Sequence, residues 1–290
     1  LQECVAASEK IMNSGMFKIY NTGKPETDYR HVFQQEKPVK DEVIWAKEYS
    51  AELSSYHNLT QLFVSSGNQS NRWSPTQEFV NTYLNRDGSR FTDAAGYETK
   101  SFVQNSTNRD CRLAQTMMMP GYSKLNNNGE KMETTPDWSV TMTGYQVIKY
   151  NMDGTFYEVT NHSSNAVPVI RYAEILLNEA EAKAELGQMT NQVWNKTIRL
   201  LRERAGVGGS APTTADPYLM SYYDNKVTDM WLLEIRRERA IELFFEGGGL
   251  RYDDLMRWKQ GEMLTKSLGS IYIGAKNTAI DTDGDGTNDL

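Results

Sequence analysis

Four glutamates of this chain stand four residues apart in one stretch: Glu234, Glu238, Glu242 and Glu246. In a helix they would share one stripe, where like charges repel each other by roughly a few tenths of a kcal/mol per pair. Such a stripe needs cationic partners, and the surrounding sequence supplies Arg171, Arg202, Arg204, Arg239 and Arg251. A metal-binding or catalytic site is one explanation. An internal ion-pair network is favoured, because arginine is a poor neighbour for a metal ion and no histidine lies near.

Apolar spacing predicts three helices in the segment 168–258. Pro168 suits the first turn of the first helix, where its missing N–H costs no hydrogen bond, and Thr228 is the expected N-cap of the third helix. The helices are expected to end at glycines, which readily adopt the left-handed conformation: Gly187, Gly206 and Gly247. Only a short turn separates the first two helices, so antiparallel packing is expected.

The remaining sequence predicts short elements between long polar loops. Helical spacing is present over residues 1–14, near 29–35 and from Pro75 onward. Apolar runs predict strands at 43–45, 144–150 and 271–273. The strand at 144–150 is expected to continue through an NMDG hairpin turn. Residues 50–74 and 207–227 lack clear periodicity and are interpreted as loops. The fold class is therefore mainly α, with long irregular loops and a few short strands.

Charge and composition exclude several classes of protein. The chain has 290 residues, a net charge of −7 and an isoelectric point near 5.2, which argues against nucleic acid as a partner because nucleic acid requires a basic face. Cys4 and Cys111 are too few to indicate a disulfide framework or a metal site. The sequence has no apolar run long enough to span a membrane. It also lacks the motifs of phosphate loops, serine hydrolases and zinc sites.

Aromatic residues are frequent, with 16 Tyr and 6 Trp, and many of them lie in polar, loop-like sequence. Flat rings beside amide and hydroxyl groups suit sugars, whose faces are apolar and whose edges are polar. The candidate glycan-binding residues are Trp73, Tyr56, Asn71, Arg72 and Trp138. The alternative is that these rings hold loops against the core.

The segment 281–289 has the spacing of a calcium-binding loop. Its candidate ligands, at loop positions one, three, five, seven and nine, are Asp281, Asp283, Asp285, Thr287 and Asp289. Alternating aspartates direct hard oxygen ligands towards one cation, so calcium is a candidate cofactor. A polar turn closed by Asp, Asn and Gly residues explains the pattern equally well.

Several segments together resemble the SusD/RagB family. The C-terminal signature of that family is similar to RYAEILLNEAEAKAELG, IRLLRERAGV and ERAIELFFEGGGLRYDDLMRW. Earlier segments agree in the order of the family: AASEKIMNSGMFKIY, SPTQEFVNTY with RDG, NRDCRL and TGYQVIKY. Cys111 replaces the proline usual in the family's NRDPR element, a change that loosens a turn but keeps its charges. The resemblance covers nearly the whole chain.

The resemblance implies a SusD-like fold, which is mainly α and combines tetratricopeptide-type helices with long irregular loops and a few short strands. Residues 1–290 are expected to be the C-terminal portion of such a protein. Residues 1–160 would form a loop-rich, ligand-binding part, and residues 161–290 the helical signature part. An N-terminal half, with most of the tetratricopeptide-like helices, is expected to be missing from this sequence.

The resemblance also implies a function. Members of the family are surface lipoproteins of Bacteroidetes that bind nutrient glycans. The chain is therefore expected to bind an oligosaccharide or polysaccharide without cleaving it, and to deliver it to a SusC-like TonB-dependent transporter in the outer membrane. Membrane contact would come from an N-terminal lipid anchor that this sequence lacks, since Cys4 does not lie in a lipobox.

Two other functions stay open at this point. A glycoside hydrolase would need two carboxylates facing each other about 5–10 Å apart across a cleft. Asp253 and Asp254 are adjacent in sequence and do not form such a pair, and the glutamate stripe is expected to be ion-paired. A protein-interaction module would instead use a tetratricopeptide-like groove to hold a peptide or a neighbouring subunit.

Overall fold

The computed structural model describes residues 1–64, 72–276 and 278–289. Within these ranges the chain is mainly helical, as predicted. The α-helices are α1 (Gln2–Asn13), α2 (Asp28–Gln34), α3 (Leu59–Val64), α4 (Gln77–Val80), α5 (Phe102–Ser106), α6 (Arg112–Thr116), α7 (Tyr172–Glu185), α8 (Asn191–Lys196), α9 (Ile198–Arg204), α10 (Pro217–Tyr222), α11 (Met230–Glu242) and α12 (Leu250–Arg257). The strands are β1 (Val43–Lys47), β2 (Ser123–Leu125), β3 (Lys131–Glu133) and β4 (Val167–Arg171).

Strands β1 and β4 form one antiparallel pair, and β2 and β3 form another. In the first pair Ala46 lies opposite Pro168. The prediction that Pro168 begins a helix is wrong, because it lies in β4 and α7 begins only at Tyr172. β-Branched residues surround the proline and favour a strand. Proline is tolerated there because each strand of a two-stranded sheet is an edge strand.

Several predicted loops and strands also differ from the structure. The predicted loop 50–74 contains α3, and the predicted loop 207–227 contains α10. In the described structure, residues 144–150 and 271–273 form no strand, and residues 155–158 of the predicted hairpin form a 3-10 helix. Isolated hydrogen bonds take the place of regular strand pairing in these segments. One of them joins the Ile271 N–H to the Thr143 carbonyl at 2.9 Å. Apolar runs alone do not show whether a partner strand is available.

Helices α1, α7, α9 and α11 pack around a common apolar core. α1 packs along α7, and α7 packs along α9 and α11. The buried residues of this core are Tyr172, Ala173, Leu176, Leu177, Ala180, Trp194, Ile198, Leu201, Ile235 and Leu243. Gly187 and Gly206 follow α7 and α9 with φ of +68° and +65°, which confirms the predicted helix ends.

The starts of two helices differ from the predictions. Thr197, with φ −126° and ψ −91°, divides the second predicted helix into α8 and α9. The N-cap of α11 is Asp229, one residue after the predicted Thr228, and its carboxylate accepts the N–H of Leu232 at 2.9 Å. A side chain on either residue could cap the helix, so the sequence does not choose between them.

The C-terminal half of the glutamate stripe is buried among arginines, as predicted. Glu242 is fully buried. Its carboxylate accepts hydrogen bonds from Arg112 at 3.0 Å, from Arg171 at 3.1 Å and from Arg204. Arg171 also donates to both carboxylate oxygens of Glu246 at 2.7 Å each. These contacts fix the end of α11 to α6, α9 and β4.

The N-terminal half of the stripe is paired in the same way. Arg202 of α9 donates to Glu234, and to Glu238 at 2.6 Å. Arg237 donates to the two carboxylate oxygens of Glu234 at 2.7 and 2.9 Å. The ion-pair network favoured from the sequence is therefore confirmed for all four glutamates.

Two of the five expected cations have other partners. Arg239 donates to Asp254 at 2.7 Å. Arg251 donates to the hydroxyls of Tyr223 and Tyr222 at 3.4 Å each. Arg239 and Arg251 lie on α11 and α12 and pair with groups outside the stripe, which the number of nearby arginines does not predict.

The network changes the acidity of the stripe. Burial alone would raise the pKa of Glu242, but the guanidinium groups of Arg204, Arg171 and Arg112 outweigh it and hold that pKa well below its ordinary value. The pKa values of Glu234 and Glu238 are also lowered, because their arginines outweigh burial in the same way. All three carboxylates are therefore ionised in the folded chain at neutral pH.

Replacing Glu242 by Gln is expected to lower the free energy of unfolding by about 3–5 kcal/mol, because it leaves three buried guanidinium groups without their shared carboxylate. Denaturant unfolding measures this change. The matched control is Glu203→Gln, which breaks the exposed pair that Arg199 and Glu203 form at 2.7 Å and should cost less than about 0.5 kcal/mol. Equal effects of the two substitutions would contradict the assigned role of the network.

The lowered pKa values also predict how stability depends on pH. In the unfolded chain these glutamates take up protons near the ordinary pKa of 4.5, while the folded chain resists protonation. The stabilisation is therefore present above pH 4.5 and is lost as the pH falls below it. Urea unfolding between neutral and acidic pH should show this loss, with a shallower slope in Glu242→Gln. A stability that stays flat through this range would contradict the prediction.

Candidate functional site

The segment between α11 and α12 adopts an unusual backbone conformation. Phe245 has φ +61°, although it is not a glycine, and the three glycines after Glu246 have φ of +61°, +68° and +153°. Side chains rarely adopt this region, so Phe245 must be held there by its surroundings. A Cβ on Gly247 would lie 2.5 Å from Cγ of Leu250, so glycine is required at that position for space as well as for conformation.

Two consecutive residues hold this segment in place. The buried Nζ of Lys149 donates to the Phe244 carbonyl at 2.7 Å and to the Glu246 carboxylate at 2.6 Å. The hydroxyl of Tyr150 donates to the Phe245 carbonyl at 3.3 Å. Burial lowers the pKa of Lys149 to about 8, although the charge of Glu246 opposes this shift. The backbone on both sides of the Phe245 side chain is thereby fixed.

Phe245 belongs to a cluster of three aromatic rings. Its ring centroid lies 5.4 Å from that of Trp73 and 5.1 Å from that of Phe63, and the rings of Trp73 and Phe63 are 5.4 Å apart. Phe63 is buried, whereas Trp73 and Phe245 are each 38% exposed. Phe63 therefore supports two rings that present part of their surface to solvent.

These two rings form one wall of a groove, called here the Trp73 groove. Its volume is about 600 Å³. It is lined by Leu59, Trp73, Tyr150, Val167, Pro168, Val169, Phe244, Phe245, Glu246, Gly247, Gly248, Gly249, Leu250 and Arg251. Volume and lining are those of a small-ligand site, where a mainly apolar surface carries a few polar groups. Strand β4, α3 and the segment after α11 meet at this groove.

The structure gives the predicted glycan-binding residues different surroundings. Trp73 lines the groove, and Arg72 precedes it and is exposed. Tyr56 is half-buried and donates its hydroxyl to the Ala51 carbonyl at 3.2 Å. Trp138 is half-buried against an apolar core cluster, and neither of these two lines the groove. Asn71 lies outside the described residues.

The sequence pattern does not identify Phe245 as a residue of the groove. The sequence predicts Phe245 in the body of a helix, whereas α11 ends at Glu242 and Phe245 lines the groove. The glycines that follow Glu246 are the sequence feature that could have indicated this. A helix that ends near them leaves the side chains just before them outside the helix. Trp45 lies in the strand predicted at 43–45, and its side chain is 61% exposed on β1.

The acidic segment 281–289 brings three of the predicted calcium ligands together. Carboxylate oxygens of Asp281, Asp283 and Asp285 lie within 4.8 Å of one another. The hydroxyl of Thr287 donates to Asp285 at 2.6 Å. The carboxylate of Asp289 instead accepts the N–H and the hydroxyl of Thr282 at 2.7 Å each. A hard cation suits the three clustered carboxylates, and calcium stays a prediction.

Titration calorimetry with calcium chloride tests that prediction. Binding is expected in the weak range, at roughly 10⁻⁴–10⁻³ M, because the loop offers few charged ligands. Asp283→Asn should abolish the heat, since it removes one of the three carboxylates. Asp93→Asn, which changes an exposed aspartate elsewhere, should leave it unchanged. Absence of heat with the unaltered chain would show that the segment is a polar turn.

None of the helices formed by the described residues is both long enough and apolar enough to cross a membrane. The structure is thus a mainly helical domain, braced by a buried ion-pair network, whose loops present an aromatic groove. The chain belongs to the SusD family, whose family model matches residues 41–287. The family and the fold expected from the sequence motifs are both confirmed.

Solved structures show the same fold. A SusD-like carbohydrate binding protein from Bacteroides fragilis NCTC 9343 is 26% identical over 98% of this chain and 54% of its own, with a TM-score of 0.68. A SusD-like protein from the same strain is 22% identical over 89% of this chain and 52% of its own, with a TM-score of 0.63. This chain therefore spans about half the length of the structures it matches. No match was found among curated protein sequences.

Proposed function

We propose that this chain binds an oligosaccharide or polysaccharide without cleaving it, and that the Trp73 groove is the binding site. The observation that carries the proposal is the pair of half-exposed rings, Trp73 and Phe245, in the wall of the groove. Such rings offer apolar faces to the C–H surface of a sugar. Membership of the SusD family supports the ligand class, as does the 26% identity to a structure described as a carbohydrate binding protein.

The charges around the groove favour binding over hydrolysis. Glycoside hydrolysis requires two carboxyl groups placed about 5–10 Å apart across the scissile bond. Among the described residues that line the groove, Glu246 is the one carboxylate. Its carboxylate oxygens accept hydrogen bonds from Arg171 and Lys149, so they serve a structural role inside the protein. A non-catalytic role fits this arrangement best.

The proposal extends to the place of the protein in the cell. The chain would act at the surface of a bacterial outer membrane, anchored through an N-terminal lipid, and would pass its glycan to a SusC-like TonB-dependent transporter. Membership of the family and the match to a protein of Bacteroides fragilis support this context. Co-purification of a tagged transporter with this protein tests the partner directly.

Affinity electrophoresis through gels that contain a panel of plant, host and microbial polysaccharides tests glycan binding. At least one polysaccharide should retard the chain. Trp73→Ala and Phe245→Ala should each weaken binding by about 2 kcal/mol or more, which is roughly 30-fold, because an aromatic anchor dominates a small site. Trp45→Ala is the matched control, since Trp45 is exposed on β1 but does not line the groove.

The outcomes separate the alternatives. Retardation that survives Trp73→Ala but is lost in Trp45→Ala would move the binding site to the exposed face of β1. Release of reducing sugar by the purified chain would contradict the non-catalytic role. Failure of every polysaccharide to retard the chain, together with binding to the transporter, would favour a protein-interaction role.

A further inference from the structure

A second pocket lies beside α10, in the segment that the sequence predicts to be a loop. It has a volume of about 270 Å³, near the lower end of the range for small-ligand sites. It is lined by Thr76, Glu78, Tyr218, Ser221, Tyr222, Met263, Lys266, Ser267 and Leu268. We call it the tyrosine pocket. It combines aromatic surface with carboxylate, ammonium and hydroxyl groups.

The two tyrosines of the pocket are held in fixed orientations. Tyr218 and Tyr222 stand one helical turn apart on α10, with ring planes inclined by 21° and centroids 6.3 Å apart. The hydroxyl of Tyr218 donates to the Glu78 carbonyl at 2.9 Å. The hydroxyl of Tyr222 accepts a hydrogen bond from Arg251 at 3.4 Å. Both rings are half-buried, so they form a rigid surface whose hydroxyls are already used inside the protein.

Glu78 supplies the pocket with an acceptor that has no cationic partner among the described residues. Its carboxylate accepts the N–H of Gly269 at 3.3 Å. A Cβ on Gly269 would lie 2.2 Å from Oε1 of Glu78, so glycine lets the main chain approach the carboxylate closely. An ionised carboxylate accepts hydrogen bonds but cannot donate them. The remaining lone pairs of Glu78 are therefore available to the hydroxyl donors of a ligand.

The other charged group of the pocket is already neutralised. Lys266 donates to the carboxylate of Asp224 at 2.6 Å and to the carbonyl of Tyr222 at 3.0 Å. Among the described residues that line the pocket, no cation is left unpaired to favour an anionic ligand. Ser221 and Ser267 are exposed at its edge, where their hydroxyls can both donate and accept.

We propose that the tyrosine pocket is a second saccharide subsite, which takes one neutral sugar ring. The apolar face of the ring would lie against Tyr218 and Tyr222, and its hydroxyls would donate to Glu78. This assignment rests on the proposed glycan-binding function for the class of ligand but on separate residues for the site. Arg251 links the two sites, because it lines the Trp73 groove and also donates to Tyr222.

Saturation-transfer NMR with glucose, galactose, mannose and N-acetylglucosamine, each at millimolar concentration, tests the subsite in the full chain. At least one sugar should receive saturation both from the unaltered chain and from Trp73→Ala, since the tyrosine pocket is intact in that variant. Adding Tyr218→Ala to Trp73→Ala should abolish the remaining signal. Adding Ser221→Leu should do the same by filling the mouth of the pocket while leaving both tyrosines in place.

Two controls keep the test decisive. Tyr252→Ala removes an exposed tyrosine that lines neither site, and in the Trp73→Ala background it should preserve the signal. Thermal unfolding shows whether each variant is folded. If Tyr218→Ala does not fold, Ser221→Leu provides the test of the pocket. Loss of all signal in Trp73→Ala alone would overturn the subsite and leave the Trp73 groove as the glycan site. The subsite would also be overturned if the signal survived Ser221→Leu in the Trp73→Ala background, or if the unaltered chain gave no signal. In either case, retardation by polysaccharides would still decide the proposed function.

Discussion

The buried carboxylate of Glu242 is the contact on which the rest of this structure depends. It receives guanidinium groups from α6, α9 and β4, and thereby joins three elements that are far apart in sequence. Glu42, immediately before β1, extends the same network to Arg171 and Arg204. Without these ion pairs, the same elements would be joined by apolar contacts alone, which fix their relative positions less strictly. Buried ion pairs accept one arrangement, because an unpaired charge in the interior is costly.

The same network also places the proposed binding site. Glu246, the last glutamate of the stripe, is bound by Arg171 of β4 and by Lys149. Those contacts hold the segment in which Phe245 adopts a positive φ and turns its ring towards Trp73. Strain at Phe245 is tolerated because the surrounding hydrogen bonds over-determine the backbone. The stability of the helical part and the shape of the groove therefore have a common origin.

The sequence predicts the parts of this structure that arise from local patterns. The spacing of the glutamates predicts the ion-pair network. Trp73, a predicted glycan-binding residue, lies in the wall of a groove, and its binding role stays a prediction. The sequence predicts a helix at Pro168 because its pairing with β1 depends on tertiary structure, which local pattern does not show. Local pattern does not predict the conformation of Phe245, because it is imposed by Lys149 and Tyr150, which are distant in sequence. The positions of Tyr56 and Trp138 outside the groove likewise depend on loop packing that composition does not encode.

The most direct test of whether the segment around Phe245 forms the glycan site is hydrogen–deuterium exchange. The exchange is measured with and without the polysaccharide that retards the chain most strongly. Amides of residues 72–75 and 244–251 should exchange more slowly when the glycan is present, because ligand contact stabilises the segment that Lys149 and Tyr150 hold. Protection confined to other segments, with residues 244–251 unchanged, would contradict the assignment of glycan binding to the Trp73 groove.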